Sequence, residues 1–123
     1  MKSALRLAML LSLIYAPARA HEVETGPILV CDTQKQVERY VQLFDGNPQV
    51  AISSVNAEAN DQNACAMVDV AYVQGPPLEL ARSKSHAFRV VPIVVVGMNR
   101  PTGFQRLQPV LVFTLVKVKE FAV

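Results

Sequence analysis

"CDTQKQVERYVQLFDGNP", residues 31–48, decides the fold. The short run Ile28-Leu29-Val30 before Cys31 is apolar, and after Cys31 the period changes. Asp32 and Thr33 offer side-chain oxygens to the unpaired N–H groups of a first helical turn, and Thr33-x-x-Gln36 has the spacing of a capping box. Val37, Tyr40, Val41 and Phe44 follow at i, i+3, i+4 and i+7, one apolar stripe of a helix, while Gln34, Lys35, Glu38, Arg39 and Gln42 cover its other side. Gly46 stands where a helix end takes up positive φ. Asn47-Pro48 restarts the pattern at once, asparagine as an N-cap and proline at the first helical position. Ala51, Ile52, Val55 and Ala59 make a second, weaker stripe that the polar cluster NDQN, residues 60–63, brings to an end. Two helices joined by a tight turn therefore interrupt a chain that reads as strand on both sides.

Before them, Ile28-Leu29-Val30 is a short apolar run ending at Cys31, preceded by a polar lead-in over residues 21–27. After them, Ala66, Val68, Val70 and Tyr72 alternate with Cys65, Met67, Asp69 and Ala71, the period of a strand, and Gly75-Pro76-Pro77 stops it. Residues 78–86, LELARSKSH, read as a loop or one short helical turn. AFRVVPIVVVG, residues 87–97, is a long β-branched strand in which Pro92 lacks a ladder donor and so predicts an edge or a bulge. The turn cluster Asn99–Gly103 leads into a last strand over residues 104–121, bent near its start by Pro109. Val94–Val96 and Val110–Val116 are apolar on both faces, as in a strand covered on both sides. The order β-α-α-β-β-β predicts an α+β fold: an antiparallel sheet with two helices packed on one face, or alternatively a small curled β-barrel plugged by the helices.

The beginning of the chain has a different logic. Lys2 and Arg6 precede the apolar run LAMLLSLIYA, residues 7–16, then Pro17 and the small–x–small pattern Ala18-Arg19-Ala20. These are the three zones of a secretory signal peptide cleaved between Ala20 and His21. The expected organisation is a signal peptide, 1–20, and one small exported domain, 21–123, in the periplasm or outside the cell, with no membrane anchor after cleavage. Without the leader, nine basic residues face ten acidic ones, a formal charge of −1, so the precursor's basic balance gives no case for nucleic acid. The only cysteines, Cys31 and Cys65, pair as one disulfide in an oxidising compartment.

The stretches VCDTQKQVERYVQLFDG, NACAMVDVAYVQG and VFTLVKVKE together resemble a group of short exported bacterial proteins. The resemblance implies export and a single domain, and it brings no catalytic residues with it.

Constellations that carry chemistry are sparse. There is no G-x-S-x-G, no Gly-rich phosphate loop and no H-E-x-x-H. Asp69 is the one charge in an apolar strand, and period two puts it on a solvent face; Asp69 with Glu58 is a nameable carboxylate pair that no spacing selects. Tyr40, Phe44, Tyr72, Phe88 and Phe113 fall at core positions, leaving few rings to stack on sugars. Lys117 and Lys119 share a strand face, where charge discourages edge-to-edge association. The reading is a non-catalytic extracytoplasmic domain without a cofactor, acting through contact with a protein partner as an accessory, inhibitor or envelope factor. The alternative is copper: cleavage gives His21 an α-amine beside its imidazole, and His86 would supply the third nitrogen of a planar Cu(II) set.

Overall fold

The computed structural model describes residues 22–83 and 87–118. Five strands and two helices follow in the order β1 (Val23–Cys31), α1 (Gln34–Leu43), α2 (Pro48–Ala59), β2 (Cys65–Gln74), β3 (Leu80–Arg82), β4 (Ala87–Arg100) and β5 (Gly103–Lys117). The fold is the expected α+β arrangement, with every strand pairing antiparallel.

The helix caps are the ones the side chains specify. Thr33 Oγ1 accepts from the Gln36 N–H while Gln36 Oε1 accepts from the Thr33 N–H, closing the capping box. Asn47 Oδ1 accepts from the N–H groups of Gln49 and Val50, and Pro48 occupies the first turn. Asn60, with φ 53°, ends α2 in the left-handed conformation that a short polar side chain tolerates. Phe44 is extended and stops α1 two residues before Gly46, so the positive φ of Gly46 belongs to the connecting turn rather than to the cap. Val37, Tyr40 and Val41 from α1 and Ala51, Ile52 and Val55 from α2 are buried; Ala59 is exposed.

Three elements depart from the expected reading. The lead-in at 21–27 is strand from Val23 onward, because β2 is long enough to pair with all of β1, from Val23↔Val73 to Cys31↔Cys65. The Asp32 N–H donates to the Ala64 carbonyl at 2.9 Å, which makes Cys31↔Cys65 a non-hydrogen-bonded pair. Alternation then puts Pro27 in another such pair, so its missing N–H costs no bond to β2. Second, part of LELARSKSH is neither loop nor helical turn: Leu80–Arg82 is a short strand on β4. Third, Pro92 is in the middle of a long strand. Its carbonyl accepts from the Gly75 N–H at 2.8 Å, so its ring faces the junction where β2 has ended and β3 has not begun. A Cβ at residue 75 would lie 3.1 Å from the Pro92 ring, and glycine permits that approach.

The sheet order is β2-β1-β5-β4-β3, and the sheet curls far enough for β2 to pair with β4 as well. Closure between β1 and β5 rests on the bridge Cys31↔Phe113 and on the buried Thr114 hydroxyl, which donates to the Leu29 carbonyl. The result is a curled sheet and not a clean barrel. Near Pro109 the register of β5 slips against β4, between Val95↔Val110 and Gly97↔Arg106, which is the bend expected there.

The two sheet faces carry separate cores. The helices pack on Leu29, Cys31, Cys65, Phe88 and Val90, with Phe44, Phe113 and Leu115 partly covered. The inside of the curl holds Val70, Tyr72, Val91, Ile93, Val95 and Val112. This is why Val94–Val96 and Val110–Val116 read as apolar on both faces.

Candidate functional site

The helices cover only part of their sheet face. Residues at alternate positions share a face, so Val23 lies with Leu29 and Cys31, Val73 with Cys65, Val94 with Phe88 and Val90, and Leu111 with Phe113. Register connects the first of each pair directly: Val23↔Val73, Val73↔Val94 and Val94↔Leu111. One apolar row thus crosses four strands in the spatial order β1-β2-β4-β5, on the helix side of the sheet but outside the helices. Val73 and Val94 are half-buried within it, while its two ends, Val23 and Leu111, are 59% and 60% exposed.

Two further rows continue it. Thr25 pairs with Ala71 and Ala71 with Gly97. The Phe104 ring lies across Gly97, where a Cβ would fall 2.2 Å from its Cζ; an aromatic on the neighbouring strand fills the space that glycine leaves. In the third row Pro27 pairs with Asp69, the Asn99 amide donates to Asp69 Oδ1 at 2.9 Å, and Asn99 pairs with Phe104. Phe104 remains 59% exposed even so.

Charge on these strands is segregated. β1 and β2 carry Glu24 and Asp69 and no cation; β4 and β5 carry Arg89, Arg100, Arg106 and Lys117 and no carboxylate, all six being exposed. The whole chain follows the same division. From Glu22 to Glu79 there are nine carboxylates against Lys35 and Arg39, and from Leu80 to Lys119 there are seven basic residues and no carboxylate. Summed over the domain these nearly cancel, which is how a formal charge of −1 conceals them. Dividing the sequence at residue 79 would have revealed them.

The other site residues are distributed as follows. Cys31 and Cys65 form the expected disulfide, with Cα atoms 4.1 Å apart. A directly opposed, non-hydrogen-bonded pair holds its Cα atoms at about 4.5 Å, so the ladder itself brings the thiols together. Cys65 shares the Asp69 side of β2 but is buried beneath the helices, not in solvent. Asn56 of α2 holds the strand beside it: its Oδ1 accepts from the Cys65 N–H, and its Nδ2 donates to the carbonyls of Cys65 and Gln62. Ala20, His21 and His86 lie outside the described residues. Among the described residues, no three His, Cys, Asp or Glu side chains gather as a metal site. Asp69 is exposed on Asn99, whereas Glu58 pairs with Arg39 across the helices, so the two carboxylates have separate partners. Lys117 is exposed, as expected, and Lys119 lies outside the described residues.

Burial raises the Tyr40 hydroxyl above its ordinary pKa, and burial first, then the Glu24 carboxylate, raises Tyr72. Both rings are core residues. Among the described residues no helix is long and apolar enough to cross a membrane. The chain matches no known protein family, no characterised protein and no solved structure.

Proposed function

We propose that this is an exported, non-catalytic domain that acts by binding another protein surface through the helix-free part of its sheet. The observation that carries the reading is the apolar row Val23–Val73–Val94–Leu111, flanked by Phe104 and by a strand pair without carboxylates. Apolar groups at the centre of a patch with charge around them are the composition of a contact surface. Export is supported by the leader pattern of residues 1–20 and by a disulfide, which persists in oxidising compartments. The resemblance to short exported bacterial proteins points the same way.

The test is site-specific photocrosslinking in cells that export the chain from its own leader. A photoreactive amino acid in place of Leu111 is expected to capture protein, and the same group in place of Val50, exposed on α2, is not. Equal labelling from both positions, or none from position 111, would remove the reading.

A further inference from the structure

We infer that the outer edge of β5 docks an extended peptide segment, which adds a strand there and presents a carboxylate to Arg106. The inference concerns an edge of the sheet and does not depend on the contact-surface reading, which concerns its face. The backbone names the occupant. Beyond the single bridge Cys31↔Phe113, β5 has β4 as its only strand partner among the described residues. The Val118 N–H donates to the Ala87 carbonyl at 2.9 Å, one step past Phe88↔Lys117, so the even positions from Val110 to Val118 are the ones bonded to β4. Leu111 therefore turns its N–H and carbonyl outward. Nearer the hairpin end the same alternation runs through β2. Cys31↔Cys65 is not a hydrogen-bonded pair, so Ala71 turns its backbone away from β1 and toward Gly97 of β4. Gly97 is thus bonded to β2, and Arg106, opposite Gly97 on the other side, faces away from β4, as does Phe104 two residues earlier. The residues from Gly103 to Arg106 and from Gln108 to Leu111 are all exposed. No group among the described residues bonds to the outward N–H and carbonyl of Phe104, Arg106 or Leu111. Alternating donors and acceptors along an exposed strand are the complement of another strand's main chain.

Side chains set the sign. Phe104, Arg106 and Leu111 stand on one face of β5, in the rows of Asn99, Gly97 and Val94. An added strand sets its alternate residues beside them, apolar ones at Phe104 and Leu111 and a carboxylate at Arg106. β4 and β5 hold no carboxylate to compete for that contact, and Asp69, on the same face, belongs to β2 across β4 from the edge, where the Asn99 amide holds it.

A second copy's β5 is disfavoured as the added strand. Joining two such edges would bring together two strand pairs whose only charges are cations. Pro109, which has no N–H, and the register slip beside it also interrupt the edge, so it accepts one short strand and does not seed a continuous ladder.

The experiment measures binding of labelled synthetic decapeptides to the untagged mature protein by fluorescence anisotropy. The probes alternate valine and threonine: one has glutamate in place of a central valine, one has lysine there, and the third is the glutamate peptide with every backbone nitrogen methylated. The glutamate peptide is expected to bind, the lysine peptide about tenfold more weakly, and the methylated peptide not at all. Leu111→Pro removes an outward N–H without touching a bond to β4, and should weaken the glutamate peptide about tenfold with circular dichroism unchanged. Arg106→Glu, at an exposed position, should reverse the order of the glutamate and lysine peptides. No binding of the glutamate peptide up to about 1 mM overturns the inference. So does equal binding of the methylated peptide, or binding that neither variant alters. Crosslinks from position 111 to a protein, without peptide binding, would overturn the edge site and leave the contact-surface reading in place. Peptide binding that shows the expected variant effects, without those crosslinks, would support the edge site and remove the other reading.

Discussion

One sheet face carries two regions built from the same strands and opposite in fate. At one end, Leu29, Cys31, Cys65, Phe88 and Val90 are buried beneath α1 and α2. At the other, Val23, Val73, Val94 and Leu111 have the same apolar chemistry and the same side of the pleat, and no helix over them. The difference is one of coverage and not of residue type. Two helices of ten and twelve residues are about 15–18 Å long and cannot shield a face on which β4 and β5 run for fourteen and fifteen residues. Apolar side chains of the kind that the covered region buries are, in the open region, left without a helix over them.

The sharpest way to break this comparison is to place the same charge in each region. Val41 is fully buried on the inner stripe of α1, so Val41→Asp puts an unpaired carboxylate into the helix–sheet core and should abolish cooperative unfolding altogether. Leu111→Asp, in the open row, should leave the unfolding free energy within about 0.5 kcal/mol of the parent. Urea denaturation followed by circular dichroism decides both. Comparable losses at the two positions would mean the open row is core.

The next effect is the disulfide. Cys31 and Cys65 enclose a loop with a sequence separation of 34, for which chain entropy gives about 3–4 kcal/mol. Cys31→Ser and Cys65→Ser should cost the same as the double variant in thermal melting, because either one opens the same loop. Unequal single costs would show that packing of the individual thiols dominates. Asn56→Ala should cost less, about 1–3 kcal/mol, by leaving the Cys65 N–H and carbonyl without their side-chain partner.

The covered region was the legible one. Thr33, Gln36, Asn47 and Pro48 announce their caps through local spacing, and the stripes of α1 and α2 need no knowledge of distant residues. The pairing of Cys31 with Cys65 followed from counting cysteines, but its cause did not, since the ladder that opposes them becomes visible only with the register of β1 on β2. The open region is made of long-range relations throughout. Nothing in the local sequence says that Val73 neighbours Val94 or that Phe104 lies over Gly97. Pro27 and Gly26 made β1 look like a lead-in, because a proline's cost depends on which side of the strand its nitrogen faces. The charge division was different: it was present in the sequence and was lost by summing it.

The smallest expected effect lies between the helices, on the solvent side of the covered region. Arg39 meets Glu58 in a forked contact, Nε to Oε1 at 2.9 Å and Nη2 to Oε2 at 2.9 Å, joining α1 to α2. The hydrogen bond from Arg39 holds the Glu58 carboxyl below its ordinary range; desolvation opposes it, the Arg39 charge adds a smaller lowering, and the same contact raises Arg39. A carboxylate whose pKa is lowered by folding stabilises the folded state above its unfolded pKa, near 4.5, and that stabilisation is lost as pH falls through the lower folded value. Both side chains are 43% and 49% exposed, so water and salt screen the pair and the effect is slight. Melting temperatures recorded between about pH 6 and pH 3 should therefore decline slightly more steeply for the parent than for Glu58→Gln, which has no proton to gain there. A Glu58→Gln profile that falls as steeply as the parent would place the acid sensitivity elsewhere.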